Sequence, residues 1–237
     1  MNDDTRPGPP PTRVLVVDDE PQLLRALRIN LGVRGYDVTT ASTGAGALRA
    51  AADRKPDVIV LDLGLPDLDG LEVLAGLRGW TSVPVIVLSA RSDSGDKVDA
   101  LDAGADDYVT KPFGMDEFLA RLRVAVRRAS QASSDGGDPV VTTSSFTVDL
   151  VARSVTRDGA AVHLTPTEWG MLEMLVRHRG KLVGQRELLR EVWGPAYESE
   201  THYLRVYLGQ LRRKLEPDPA HPKHLLTEAG MGYRFQV

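Results

Sequence analysis

Five times between Val14 and Arg128 a short apolar run gives way to a polar turn and then to a stretch with helical spacing. The runs are Val14 to Val17, Tyr36 to Thr40, Val58 to Leu61, Val85 to Leu88 and Tyr108 to Thr110. After them come a helix carrying Leu23, Leu24, Leu27 and Leu31, then Gly44 to Ala52, Gly70 to Gly79, Asp96 to Ala103 and Met115 to Arg128. Unbroken β-branched runs suit strands buried on both faces, and each parallel crossover needs a helix. The pattern therefore predicts an α/β domain with a doubly wound, five-stranded parallel sheet.

The flavodoxin-like strand order 2-1-3-4-5 is the expected solution, and in such sheets ligands bind at the C-terminal ends of the strands. The residues just past strands 1, 3, 4 and 5 are Asp18-Asp19, Asp62, Ser89 and Lys111. Any one of them reads as an ordinary turn residue. Together they put three carboxylates, a hydroxyl and an ammonium at one edge. Clustered carboxylates repel and raise one another's pKa, so the economical reading is a site for a hard cation such as Mg²⁺ held by oxygen ligands.

From Ala129 to Pro139 the chain is small and polar without periodicity, which marks a flexible linker. The charge changes across it. Residues 1 to 137 hold 16 Lys and Arg against 21 Asp and Glu, whereas residues 138 to 237 hold 13 against 12 and all five histidines. With no cysteine, a disulfide scaffold is excluded. The Pro-rich start lacks an apolar core, and no later run approaches the roughly 18 apolar residues of a membrane span, so a cytoplasmic protein without membrane association is expected. The expected division is a disordered tail 1–12, an α/β domain 13–129, a linker 130–139 and a second domain 140–237.

In the second domain, strands are predicted at Phe146 to Leu150, Ser154 to Arg157 and Ala161 to Leu164, with Asp158-Gly159 as a hairpin turn. Thr165-Pro166-Thr167-Glu168 has the form of a capping box that opens a helix. Helices follow at Gln185 to Val192 and about Glu200 to Leu215, and a closing hairpin surrounds Gly230 and Gly232. Three helices and a closing hairpin describe a winged helix-turn-helix. Leu204, Leu208, Leu211 and Leu215 form a core stripe in the third helix. Its remaining surface offers His202, Tyr203, Arg205, Val206, Gly209, Gln210, Arg212 and Arg213 to DNA, and Arg234 on the wing is placed to enter a minor groove.

Asp18-Asp19, Asp62, Ser89 and Lys111-Pro112-Phe113 at these spacings resemble the receiver domain of two-component response regulators. The resemblance implies that Asp62 accepts a phosphoryl group from a sensor histidine kinase. It further implies that Asp19, Asp62 and the Gly64 carbonyl hold Mg²⁺, with Asp18 acting partly through water. Lys111 would supply positive charge, Ser89 and Tyr108 would form the switch, and the peptide before Pro112 would be cis.

The motifs Leu164-Thr165-Pro166-Thr167-Glu168, Glu191-Val192-Trp193-Gly194, Leu211 to Glu216 and Gly232-Tyr233-Arg234-Phe235 resemble the effector domain of the OmpR/PhoB subfamily. Within it, Leu63 to Pro66, Val85 to Ser92 and Ser199 to Tyr207 resemble regulators of potassium-uptake operons. This implies a phosphorylation-activated transcription regulator, not an enzyme, with promoter DNA and RNA polymerase as partners. It also implies a homodimer through Lys97, Asp102, Asp106, Asp107, Glu117, Arg121, Arg123 and Arg128. One alternative is enzymatic: Asp67-Leu68-Asp69-Gly70 resembles the nucleophile motif of haloacid-dehalogenase-type phosphatases, although Pro66 stands where that family has a strand.

Overall fold

The computed structural model describes residues 10–90, 93–130 and 140–237. The tail before residue 10, Arg91, Ser92 and most of the linker lie outside the described residues, as do the side chains of Ser94 and 128–130.

Five parallel strands, β1 (Arg13–Val17), β2 (Asp37–Ala41), β3 (Val58–Asp62), β4 (Val85–Ser89) and β5 (Asp107–Thr110), line up in the order β2-β1-β3-β4-β5. They alternate with α1 (Pro21–Gly32), α2 (Gly44–Arg54), α3 (Gly70–Arg78), α4 (Ser94–Asp102) and α5 (Met115–Ser130). Side chains of a strand point alternately to its two faces, and the core divides accordingly. Val14, Val16, Val58, Val60, Ile86 and Leu88 pack with Leu27, Leu31, Phe118 and Leu122 from α1 and α5. Leu15, Val17, Ile59, Leu61, Val85 and Val87 pack on the opposite side with Ala47, Leu74 and Leu101. Both layers exclude water, which explains why the strands read as continuous apolar runs.

The second domain opens with an antiparallel sheet of β6 (Val140–Thr142), β7 (Thr147–Asp149), β8 (Ser154–Arg157) and β9 (Ala160–Val162). The turn between β8 and β9 has positive φ at both Asp158 (52°) and Gly159 (78°), as a two-residue hairpin with right-handed strand twist requires. Then come α6 (Pro166–Arg177), β10 (Leu182–Gly184), α7 (Gln185–Val192), a one-turn 3₁₀ helix (Pro195–Tyr197), α8 (Thr201–Leu215), β11 (Leu225–Glu228) and β12 (Gly232–Phe235). The capping box forms: Thr165 N donates to Glu168 Oε2 at 2.7 Å, and Glu168 N to Thr165 Oγ1 at 3.3 Å.

Strands β6 and β10 are additions to the expected elements. Each has three residues, too few for alternation to register in sequence, and each exists through a partner strand, β6 through the neighbouring β7 and β10 through the distant β12. The β10–β12 approach requires Gly232, whose φ is 157° and where a Cβ would fall 2.0 Å from the Val183 carbonyl oxygen. Strand β12 is thus the middle of a three-stranded sheet, β10-β12-β11, and not one arm of a free hairpin.

Candidate functional site

The ends of β1, β3, β4 and β5 converge as the strand order dictates. Asp18, Asp62 and Ser89 are buried there and Asp19 is exposed. Asp18, Asp19 and Asp62 can each bring an oxygen within 4.8 Å of the others. The Lys111 ammonium reaches in from beyond β5, 2.7 Å from Asp18 Oδ2 and 3.4 Å from Asp62 Oδ2, and the Lys111–Pro112 peptide is cis. Glu20, absent from the predicted set, stands 3.6 Å from the same ammonium.

Burial pushes the Asp62 carboxyl above its usual range; Lys111 opposes this and the Asp18 charge adds to it. Burial also works against the Lys111 charge, but its contacts with Asp18 and Asp62 more than offset that and raise its pKa. One ammonium among Asp18, Asp19, Glu20 and Asp62 leaves a surplus of carboxylates, and this all-oxygen set fits a hard divalent cation. The Gly64 N–H bonds the Asp62 carboxylate. Tyr108 is buried on β5.

The loop after β3 gives the acids of the phosphatase-like motif structural partners. Asp67 accepts the N–H groups of Gly44 at 2.7 Å and Ala45 at 3.0 Å, so its carboxylate caps α2 and is held below the usual carboxylate range by those bonds. Asp69 caps α3 through Leu71 N at 2.8 Å. Gly70 is required because a Cβ there would lie 2.4 Å from Leu63 Cα. The acidic motif builds the loop and its two helix starts.

In the second domain one face of α8 is covered, because it lies against the first domain. Tyr203 and Gln210, expected on an open face, are buried. The Tyr203 hydroxyl donates to Asp107 Oδ1 at 2.9 Å and Gln210 Nε2 to the Leu101 carbonyl. Arg213 pairs with Asp102 at 2.6 Å. Arg212 is turned elsewhere: its guanidinium donates to the Leu225 carbonyl and, at 2.7 Å, to Thr227 Oγ1, bracing α8 against β11. His202 is partly exposed, 3.4 Å from Glu200, while Arg205 is exposed and Val206 and Gly209 are half-buried. Arg234 is also corrected, since it sits in the middle strand, bonded to Glu228 Oε1 at 3.1 Å and to the Gly180 carbonyl at 2.8 Å.

The expected dimer surface is largely occupied within the chain. Lys97 pairs with Glu200 at 3.2 Å, and Asp107 takes Arg121 at 3.1 Å. Arg121 also pairs with Glu117 at 2.8 Å. Asp106 is a correction: it is buried on the inner side, accepting Val85 N at 2.9 Å and Arg78 Nη2 at 2.8 Å, and cannot reach a partner. Arg123 is exposed, and the side chain of Arg128 is outside the described residues.

Sequence reasoning missed Tyr197 and Tyr207. The Tyr197 hydroxyl bonds Asp107 and that of Tyr207 bonds the Ala105 carbonyl. A signal was available, because Tyr203, Tyr207 and Gln210 run at i, i+4 and i+7 beside the leucine stripe, making a second buried face.

Comparison with known proteins agrees with this architecture. The family described as "Response regulator receiver domain" matches residues 14–123, and "Transcriptional regulatory protein, C terminal" matches residues 159–235. The chain is 76% identical to the transcriptional regulatory protein KdpE of Mycobacterium tuberculosis (strain ATCC 25618 / H37Rv), over 95% of this chain and all of that protein. It is 54% identical to the KDP operon transcriptional regulatory protein KdpE of Escherichia coli (strain K12), with the same coverage. Among solved structures, DrrB of Thermotoga maritima, an OmpR/PhoB homologue, is 30% identical with a TM-score of 0.51 over 96% of this chain and all of that one. A mutant of RitR shares the fold at 24% identity, with a TM-score of 0.79 over 95% of this chain and 99% of that one. The chain belongs to the response regulators of the OmpR/PhoB type, which join a phosphoacceptor receiver to a winged-helix DNA-binding domain.

Proposed function

We propose that this chain is a phosphorylation-activated regulator of a potassium-transport operon, with Asp62 as phosphoacceptor. The observation that carries the reading is the Lys111 ammonium seated between Asp18 and Asp62. A carboxylate oxygen of Asp62 attacks the phosphorus of a phosphohistidine on a KdpD-like sensor kinase. The P–N bond breaks, the P–O bond forms, and the imidazole leaves with a proton. Such a transfer asks the protein for an in-line nucleophile and neutralisation of the equatorial oxygens, which Lys111 serves from one side. Asp18, Asp19, Asp62 and the Gly64 carbonyl would hold Mg²⁺, which when bound supplies the remaining positive charge. Ser89 would take up a phosphoryl oxygen and Tyr108 would follow it.

The domain boundaries proposed are a receiver over 13–129, a linker over 130–139 and an effector over 140–237, in a cytoplasmic protein that forms a homodimer on phosphorylation and works with RNA polymerase at promoter DNA. For the DNA contact we retain His202, Arg205, Val206, Gly209 and Arg213, with Tyr203 and Gln210 available only when α8 leaves the receiver.

Acetyl phosphate with Mg²⁺ should label the wild-type chain as a hydroxylamine-sensitive acyl phosphate. Chelation or Asp62→Asn should abolish the label. Full labelling of Asp62→Asn overturns the assignment. Footprinting on the organism's own potassium-transport promoter tests the regulon.

A further inference from the structure

We infer that Glu20 selects the phosphodonor: its carboxylate keeps the mouth of the Asp62 site negative, which slows small dianionic donors and reserves the aspartate for a phosphohistidine delivered by a protein. The inference rests on the reading above, in which Asp62 is the phosphoacceptor.

Local structure sets Glu20 apart from the acids beside it. It holds the N-cap position of α1, where an oxygen-bearing side chain ordinarily accepts an N–H of the first turn. Thr43, Asp69 and Asp93 do so for α2, α3 and α4. The Glu20 carboxylate makes no such bond and stands 3.6 Å from the Lys111 ammonium. Its backbone alone joins the turn, the Glu20 N–H donating to Asp18 Oδ1 at 2.9 Å. Asp18 and Asp62 are buried, whereas the Glu20 side chain is 63% exposed, so it sits at the solvent rim of the site.

An ion pair this exposed adds little to stability, but its charge decides how the site meets an anion. Asp18, Asp19, Glu20 and Asp62 set four negative charges against the one positive charge of Lys111, a net of −3. A divalent cation brings that to −1, and without Glu20 the loaded site would be neutral. A dianion about 8 Å from one unit charge in water is repelled by a factor of roughly five, and a monoanion by about two. Low salt preserves the difference and high salt screens it. A kinase brings a complementary surface whose contacts offset one rim charge, which a small donor cannot do.

The chemistry at phosphorus allows charge to be varied alone. With acetyl phosphate, a dianion, the bond from phosphorus to an Asp62 oxygen forms as the bond to the acetyl oxygen breaks, and acetate leaves without a proton. Phosphoramidate carries one negative charge because its nitrogen is protonated; there the P–N bond breaks and ammonia leaves.

The test uses the full chain and Glu20→Gln, which keeps the side-chain length and the backbone bond to Asp18 and removes the charge. At saturating Mg²⁺ and low salt, acetyl phosphate should label the variant about fivefold faster than wild type, and phosphoramidate about twofold faster. Phosphotransfer from a phosphorylated KdpD-like kinase should change by less than about twofold. High salt should erase the acetyl phosphate difference, and Glu20→Asp, which restores the charge, should return the rates toward wild type. Calorimetry without any donor should show Mg²⁺ binding weakened less than about threefold in Glu20→Gln, and a loss of about tenfold would make Glu20 a metal ligand and overturn the inference. Equal acceleration with both small donors, or none with acetyl phosphate, also overturns it. Label retained by Asp62→Asn would instead bring down the phosphoacceptor reading, and this inference with it.

Discussion

Lys111 lies closer to Asp18, at 2.7 Å, than to Asp62, the proposed phosphoacceptor, at 3.4 Å. The ammonium is therefore partly a counter-ion for the acidic pair at the end of β1 and competes with any cation seated there. Lys111→Met should tighten Mg²⁺ binding several-fold, because a positive charge 2.7 Å from Asp18 and 3.4 Å from Asp62 is removed, and should slow labelling by acetyl phosphate. Asp19→Ala should weaken Mg²⁺. Titration followed by calorimetry gives both signs, and weaker Mg²⁺ binding by Lys111→Met would contradict this view of the site.

Arg234 offers a contrast between stability and recognition. Its guanidinium bonds Glu228 and the Gly180 carbonyl, joining the loop before β10 to the hairpin. Both members of the ion pair are about one-third exposed (33% and 34%), so screening limits its worth. Arg234→Ala should cost about 1–2 kcal/mol in urea denaturation, most of it from the carbonyl bond. Affinity for DNA should change little. A large loss of affinity with unchanged stability would restore the minor-groove assignment.

These residues also show what could be read from the chain. The Val58 to Leu61 run specifies a strand buried on both faces, and once five such runs are ordered 2-1-3-4-5 the edge holding Asp62, Asp18 and Lys111 follows. Local periodicity carries that information. It does not carry the partner of a three-residue strand, so β10 was missed and Arg234 was placed on an open wing instead of in a middle strand. Nor does it say which face of α8 a second domain will cover. Asp106 and Asp107 are adjacent acids, and their alternation puts them on opposite sides; only the packed structure shows Arg78 beneath one and tyrosines above the other.

Alkaline pH should loosen the packing of α8 on the first domain. Burial, followed by the nearby Asp107 charge, pushes the Tyr203 phenol well above its ordinary value. A group whose pKa is raised in the packed form stabilises that form fully below its ordinary value, about 10 for tyrosine, and loses the contribution as pH rises beyond it. Tyrosinate absorbance should thus include a late component above pH 10 that shrinks in Tyr203→Phe, the remainder including Tyr233, which burial also raises. Exchange protection of α8 should fall over the same interval. Titration of every tyrosine at its ordinary value would contradict the burial of this hydroxyl.

Asp67 separates the regulator from the phosphatase alternative most sharply. As a cap it receives two N–H groups at the start of α2, where a carboxylate also meets the positive end of the helix dipole. Its lowered pKa means that the stabilisation is present at neutral pH and is lost as pH falls below the ordinary carboxylate value. Asp67→Ala should therefore lower the melting temperature at pH 7, and the gap from wild type should close in acid. Labelling of Asp62 by acetyl phosphate should persist, because the nucleophile and Lys111 are untouched. As a catalytic nucleophile Asp67 would behave otherwise: the wild type would hydrolyse a generic phosphomonoester with saturable, sustained turnover, and the variant would lose that turnover without losing stability. Observing that pair of results would replace the capping role and reopen the enzymatic reading of the loop after β3.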